Sequence, residues 1–397
     1  MTITAGIIGI SGYGKVHLDQ LLKQQAQGRV RLAAATVINR EETAALCAQL
    51  EAGGCRIYAD YREMLAAHAG ELDLCCVPTA IHWHERMTVD CLRAGANVLV
   101  EKPLVSSLEE VASIQAAERE SGRFVAVGFQ NAFAATTHEI KRRINEGEIG
   151  KVERLYGSGV WPRHDAYYAR NNWAGKLTLD GRPVLDSPVN NAMAHYLHWL
   201  LFVAGKEAHA CATPVSVSAE LYRARGIESF DTANFRVMTA DNLPIRFVVS
   251  HAGSEIANVE LVIQGSEGRF IWRHSGDGAF IWDDGRTETL TLPSHQEMQH
   301  EVIHRVVERI VSGTGFICTV ASAEMHTRCV VAAHQAFPIK TIPSAFVREV
   351  STPEGRFIEV QGIVSAVRQA AEGDYAFNQL GVHWAGDPPE AVSVRPA

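Results

Sequence analysis

Long apolar runs are missing from this 397-residue chain: no stretch of about 18 or more uninterrupted hydrophobic residues occurs, so no membrane-spanning helix is expected. An excess of positive charge is missing too. With 37 Lys and Arg against 45 Asp and Glu, the formal net charge of -8 leaves no broad basic surface for nucleic acid or an anionic membrane, and a small molecule is the expected partner. Cysteine occurs eight times but without any Cys-x-x-Cys spacing, and Cys75 and Cys76 stand together in an apolar run. Such thiols read as reduced and mostly buried, in a reducing compartment. The opening residues lack a basic segment followed by a hydrophobic one, so no export signal is expected, and the cytoplasm is the expected location. Low-complexity segments and repeats of solenoid period are absent as well.

What is present is enough apolar material, 47% of residues, for a large core, in a chain too long for one ordinary domain. Over the first third, short continuous apolar runs at 6–10, 30–38, 72–77, 97–100 and 124–128 alternate with helical patterns at 15–27, 41–51, 84–94 and 108–121. Strands that are apolar throughout and separated by helices predict a parallel sheet covered on both faces, with about six strands, doubly wound. The boundary is placed after Gly128, giving a dinucleotide-binding Rossmann domain over 1–128.

Beyond it the pattern changes to longer, alternating strands at 233–239, 243–251, 258–264 and 268–273, with a hairpin signal at Asp284-Gly285. These predict an α+β domain over 129–344 with an open, mainly antiparallel sheet, followed by helices at 298–311 and 320–336. A tail over 345–397 carries a third helix, at 357–372, whose Ile363, Val364, Val367, Ala370 and Ala371 form an apolar stripe that should dock on the body.

The first turn, Gly9-Ile10-Ser11-Gly12-Tyr13-Gly14, matches Gly-x-Gly-x-x-Gly except that Ser11 holds the second glycine position. Serine is small enough for the backbone to approach a pyrophosphate, which helix N-terminal amides bind. At the end of the second strand an NAD enzyme usually places an acid on the ribose hydroxyls; here Asn39 is followed by Arg40. Without that carboxylate, and with Arg40 able to pair with a 2′-phosphate, the cofactor is NAD or NADP, with a lean to NADP.

About a hundred residues on, Val98-Leu99-Val100-Glu101-Lys102-Pro103-Leu104 resembles the signature of the Gfo/Idh/MocA family of sugar and inositol oxidoreductases. So do His17 after the glycine turn, Pro78-Thr79 with His82, Ala94-Gly95, and the run Gly147 to Val152. The likeness covers roughly residues 1–205 well and the later sheet by general pattern. It implies hydride transfer between a nicotinamide cofactor and a hydroxyl carbon of a sugar, inositol or related polyol. It also implies cofactor contacts from Gly9 to Gly14, Asn39, Arg40, Pro78, Thr79, His82, Glu101, Lys102 and Gln130. A cis or otherwise sharp turn at Pro103 is part of the pattern, and a homodimer or homotetramer is the implied assembly.

The family's second motif, Asp-x-Gly-x-His, is matched by Asn191-Ala192-Met193-Ala194-His195, with His198 three residues later. The resemblance implies catalytic roles for Lys102, stabilising an alkoxide, and His195, taking the hydroxyl proton. Asn191 stands where the family has a carboxylate. It can still hydrogen-bond a substrate hydroxyl. Asp186 becomes its replacement if the Ser187-Pro188 turn carries it back. Trp161, Arg163, Tyr168, Trp173, Asp186 and His198 fall where substrate contacts are implied, since aromatic faces and polar tips suit a sugar ring; His198 reads equally as helix packing. Two other functions fit the same residues: glycoside cleavage through transient oxidation by bound NAD, and a catalytically silent cofactor-binding regulator. Finally, His300-Glu301-Val302-Ile303-His304 spells His-Glu-x-x-His. With 17 histidines in the chain and a broad apolar face on that helix, it is read as a chance match and no metal is expected.

Overall fold

Ile3, Ala5, Ile7 and Ile8 are almost wholly buried, so the first strand, β1 (Ile3–Ile8), is apolar on both faces and needs cover on both. The same holds for β4 (Leu74–Val77) and β5 (Asn97–Val100), every residue of which is buried. With β2 (Val30–Thr36), β3 (Arg56–Tyr58) and β6 (Val125–Val127) they form a six-stranded parallel sheet in the order β3-β2-β1-β4-β5-β6. The connections run through α1 (Gly14–Ala26), α2 (Ala44–Ala52), α3 (Tyr61–Ala67), α4 (His84–Arg93) and α5 (Leu108–Ser121). Local chemistry sets these helices: α5 begins where Ser107 Oγ accepts the Glu110 amide at 3.1 Å and ends at Gly122, φ +65°. Strand order reverses between β1 and β4, and beyond the carboxyl ends of strands at such a point an open α/β sheet binds its ligand.

The computed structural model describes residues 1–395 and divides into two units: 1–134 with 294–324, and 135–293 with 325–395. The second unit opens with α6 (Ala135–Asn145), β7 (Val152–Val160), α7 (Asp165–Ala169), the short pair β8 (Thr178–Leu179) and β9 (Arg182–Pro183), and α8 (Ala194–Ala204). Then come β10 (Pro214–Arg223), β11 (Thr232–Thr239), β12 (Pro244–Ser250), β13 (Ala257–Gly265), β14 (Gly268–Arg273), β15 (Asp277–Trp282) and β16 (Thr287–Thr291). After α9 (His295–Ser312) and α10 (Val320–Ala336) follow β17 (Ile339–Thr341), β18 (Val347–Thr352), β19 (Gly355–Val360), α11 (Ile363–Gly373) and β20 (Val392–Ser393). The large sheet has ten strands, β16-β15-β14-β13-β7-β12-β11-β10-β17 with β20 on β10. Its pairings are antiparallel except β7 with β12 and β10 with β17.

One face of this sheet packs on α8, buried from Ala194 through Val203, with Trp199, Leu200, Phe235, Phe247 and Leu261 in the shared core. On the other face lies α11. Its Ile363, Ala366, Val367, Ala370 and Ala371 cover Val160, Tyr222 and Val248. A polar clasp holds its end. Arg246 donates to Asp374 Oδ1 at 2.6 Å, Asn234 Oδ1 at 2.7 Å and the Tyr375 carbonyl at 2.8 Å, while Glu220 accepts from Asn234 at 2.7 Å.

Three sequence expectations need correction. Residues 357–360 are strand, not helix: they pair with β18 across a turn ending at Gly355, φ +136°, and the helix begins only after Gly362. The expected block 129–344 is interrupted, because 294–324 belongs to the first unit. There α9 buries Met298, Val302, Ile303, Val306 and Val307, and the Cys318 carbonyl accepts the Val127 amide at 2.8 Å beside β6. Strand β3, three residues long, carried no apolar run to reveal it.

Candidate active site

In the first unit the glycine turn joins β1 to α1 at the switch point. Gly9 and Gly12 have φ of +94° and +56°, a region that disfavours a β-carbon. Gly14 is helical, but a β-carbon there would sit 2.4 Å from the Gly9 carbonyl oxygen. Ser11, Gly12 and Tyr13 are exposed at the start of a 13-residue helix, and a β-carbon on Gly12 meets nothing within 4 Å. Ile10 is buried behind them. Such open space over helix-start amides fits a pyrophosphate. At the end of β4, Pro78 and His82 are buried, and the Thr79 hydroxyl has no hydrogen-bond partner among the described residues. A Gly14→Ala variant is expected to push the turn open and weaken dinucleotide binding at least about tenfold, checked by fluorescence titration.

At the end of β5, Glu101 is buried and its Oε1 lies 2.7 Å from His17 Nε2. Burial pushes its carboxyl up, but the His17 hydrogen bond and charge and the nearby Lys102 outweigh this and hold it below the ordinary glutamate value. Glu101 Oε2 also accepts the Lys102 amide at 3.1 Å. The Lys102–Pro103 peptide is cis. Beneath it lies His84, fully buried, with Nδ1 2.9 Å from the Pro103 carbonyl and Nε2 3.0 Å from the Thr79 carbonyl; burial pushes its pKa down against these backbone contacts. Sequence reasoning passed over His84, although it stands two residues after His82. Gln130, after β6, accepts from Tyr13 at 3.4 Å and lies 2.7 Å from His295.

Asn39 and Arg40 are exposed after β2, where Asn39 donates to Glu42 at 3.3 Å and Arg40 holds both oxygens of Glu51 at 2.7 Å. His300, Glu301 and His304 are each engaged by protein: His300 with Gln20 at 2.8 Å, Glu301 with Arg305 at 2.7 Å, and His304 with Arg29 at 2.6 Å. No cluster of three or more metal-ligating side chains occurs among the described residues.

In the second unit the turn through Ser187 and Pro188 does carry Asp186 back toward α8. Its Oδ1 accepts from Asn191 Nδ2 at 2.8 Å and its Oδ2 from the Gly175 amide at 2.6 Å. His195 is in the first turn of α8, 8% exposed. His198, one turn on, is wholly buried, stacked on Phe202 and 3.7 Å from Cys211 Sγ. Around this helix start lie rings. Trp161 meets Tyr196 and His274 edge-on at 5.7 and 5.1 Å, Tyr168 lies under Arg225 at 4.9 Å, and the Trp173 amide donates to Asn171. Arg163 lies over Tyr167, whose ring is 5.1 Å from that of Tyr168. Arg170 was passed over in the sequence because a short loop carries no periodicity.

The two units thus define a nucleotide-binding Rossmann module and an α+β module with a histidine and an amide at the start of its central helix. The family model for the oxidoreductase family with NAD-binding Rossmann fold matches residues 3–129, and that for the GFO/IDH/MocA C-terminal domain matches 137–271. The chain belongs to the Gfo/Idh/MocA family. Among curated relatives it is 34% identical over 157 residues to inositol 2-dehydrogenase 2 of Saccharopolyspora erythraea, covering 39% of this chain and 44% of that protein. It is 32% identical over 205 residues to inositol 2-dehydrogenase of Pseudomonas syringae pv. syringae, covering 51% and 55%. The chain spans about half the length of the curated relatives it matches. Among solved structures, an NAD binding oxidoreductase from Klebsiella pneumoniae superposes with a TM-score of 0.70 at 18% identity, covering 85% of this chain and 97% of that one. The WlbA dehydrogenase from Bordetella pertussis, in complex with NADH and UDP-GlcNAcA, gives 0.68 at 22%, covering 85% and 96%. At these identities the likeness is one of fold.

Proposed function

We propose that this chain is an NAD(P)-dependent oxidoreductase that moves hydride between a nicotinamide and a hydroxyl-bearing carbon of a sugar, inositol or related polyol, in the cytoplasm. The observation that carries the reading is the placement of the glycine turn and the Glu101-Lys102 pair beyond the carboxyl ends of β1 and β5, flanking the switch point of the sheet. Family membership and the names of the inositol dehydrogenase relatives support it. The bound nicotinamide supplies the hydride acceptor or donor. Glu101, ionised and tied to His17 and the Lys102 amide, fixes the backbone from which Lys102 extends. Lys102 stabilises the developing alkoxide, and His195 takes the hydroxyl proton. Asn191, held through Nδ2 by Asp186, orients a substrate hydroxyl, so the carboxylate usual at its own position acts from five residues upstream.

The absent acid at Asn39 favours NADP. Arg40 is engaged by Glu51, but both are exposed, and an exposed pair contributes at most about 1 kcal/mol, so a 2′-phosphate can displace the glutamate. Asn39→Asp is accordingly expected to shift the ratio of NADP to NAD affinity at least about tenfold toward NAD, read from paired titrations. A homodimer or homotetramer is the proposed assembly. Because α11 covers β7 and β12, self-association through this sheet face would use the strands from β13 to β16.

The test is the appearance of reduced nicotinamide when the full chain meets a panel of sugars, inositols and sugar acids with NAD or NADP. Turnover with one class of polyol supports the reading. Cofactor binding with no turnover in either direction would falsify it and favour the regulator.

A further inference from the structure

The loop from Trp161 to Trp173 carries more positive charge than it neutralises. Arg225 pairs with Asp165, and Arg356 of β19 bridges Asp165 at 2.5 Å and Glu349 at 2.9 Å, so those two guanidiniums are matched. Arg163 and Arg170 have no carboxylate partner among the described residues. Arg163 lies 4.7 Å from the Tyr167 ring centroid and Arg170 3.5 Å from the same centroid, so two like charges share one ring. Among the described residues Arg163 Nε is buried without a hydrogen-bond partner, and Arg170 donates to the Tyr167 carbonyl at 3.1 Å. A buried donor left unmade and two unneutralised cations at one ring each cost stability, and an anion that reaches both guanidiniums offsets both. Their field is felt nearby: burial first, then the Arg163 charge, with Arg170 and Arg225 adding, push His251 down to about 3 against its hydrogen bond to the Trp161 carbonyl.

The carboxylates near the loop are committed elsewhere. Asp186, whose charge reaches Tyr167, accepts from Gly175 and Asn191, and Asp231 is buried and accepts from the Ala224 and Arg225 amides. The arginine pair is also tied to the start of α8. Trp161, 5.8 Å from the Arg163 guanidinium, meets Tyr196, the neighbour of His195.

We propose that Arg163 and Arg170 form a binding site for an anionic group on the substrate, a carboxylate or a phosphate, so that the preferred polyol is a sugar or cyclitol acid or phosphoester. This rests on the oxidoreductase reading for its catalytic consequence, though not for the binding site itself. Planar guanidiniums stacked on Tyr167 and Trp173 present paired N–H groups that match either oxyanion, while a neutral inositol leaves both unpaired.

The experiment uses the full chain with glucose, myo-inositol, glucuronate and glucose 6-phosphate, measuring turnover with each cofactor and binding by calorimetry. It is repeated in Arg163→Met and in Arg170→Met, the latter at an exposed position that spares the fold. The expected result is a KM or Kd at least about tenfold lower for one anionic sugar than for glucose, with that advantage reduced at least about tenfold in both variants. Preference for glucuronate identifies a carboxylate, and preference for the phosphoester a phosphate. Equal affinity for neutral and anionic sugars, or variants that weaken both alike, overturns the proposal. If nothing turns over, the oxidoreductase reading fails separately. Anion-dependent binding lost in Arg170→Met then still supports the site, and no such binding overturns it.

Discussion

His195→Ala is expected to lower kcat for the proposed polyol oxidation by about 10²- to 10⁴-fold, the range that a positioned general base contributes, while the dissociation constant of the cofactor should change by less than about threefold. The split follows from the separate placement of the two functions: His195 belongs to α8 of the second unit and the glycine turn to the first. Lys102→Met is expected to cost a similar factor. On the proposed roles, in which the lysine holds the alkoxide that forms as the histidine takes its proton, the double variant should lose little more than either single one. Stopped-flow measurement of the first turnover separates this from product release. Additive losses in the double variant would show that the two residues act on different steps.

Arg246→Ala should destabilise the second unit by about 3 kcal/mol, because four acceptors that now share this guanidinium, the Asp374 carboxylate and carbonyl, Asn234 and the Tyr375 carbonyl, lose it at once. The charge is well enclosed, with the Arg246 side chain 10% exposed, so solvent replaces it poorly. Denaturant titration monitored by tryptophan fluorescence reads the loss, since Trp384 packs in the same cluster as α11. Limited proteolysis should then cut within the released tail. An Asp374→Asn variant retains the oxygen acceptor and should lose less, and equal losses would show that charge rather than hydrogen bonding dominates the clasp.

The first unit was legible because its signals are local and agree with one another. β1, β4 and β5 are mostly apolar and buried, the glycine turn needs positive φ where glycine stands, and Glu101-Lys102-Pro103 closes a strand whose neighbours are buried. What sequence could not show was set at long range. Nothing in α9 itself says which body its apolar face will meet, and that face buries against α1 and β1. Phe357 and Ile358 fit either a strand or the start of the tail's helical stripe. The choice falls to pairing with Val350 and Glu349 of β18, contacts that no periodicity reveals. The return of Asp186 to Asn191 depends on the intervening Ser187-Pro188 turn and on the backbone just before it, where Leu185 adopts φ +49°, unusual for a leucine. The Asn191 substitution was visible in the sequence, but the carboxylate that now binds it could only be conjectured.

The most direct test of hydride transfer by this chain uses a polyol carrying deuterium on its hydroxyl-bearing carbons, incubated with the full chain and NAD or NADP, with mass spectrometry of the reduced nicotinamide. Deuterium recovered in the nicotinamide, and its absence in the His195→Ala reaction over the same interval, is the expected result. Substrate consumed with no deuterium in the cofactor pool, or no reduced nicotinamide with any polyol despite tight cofactor binding, would contradict the account.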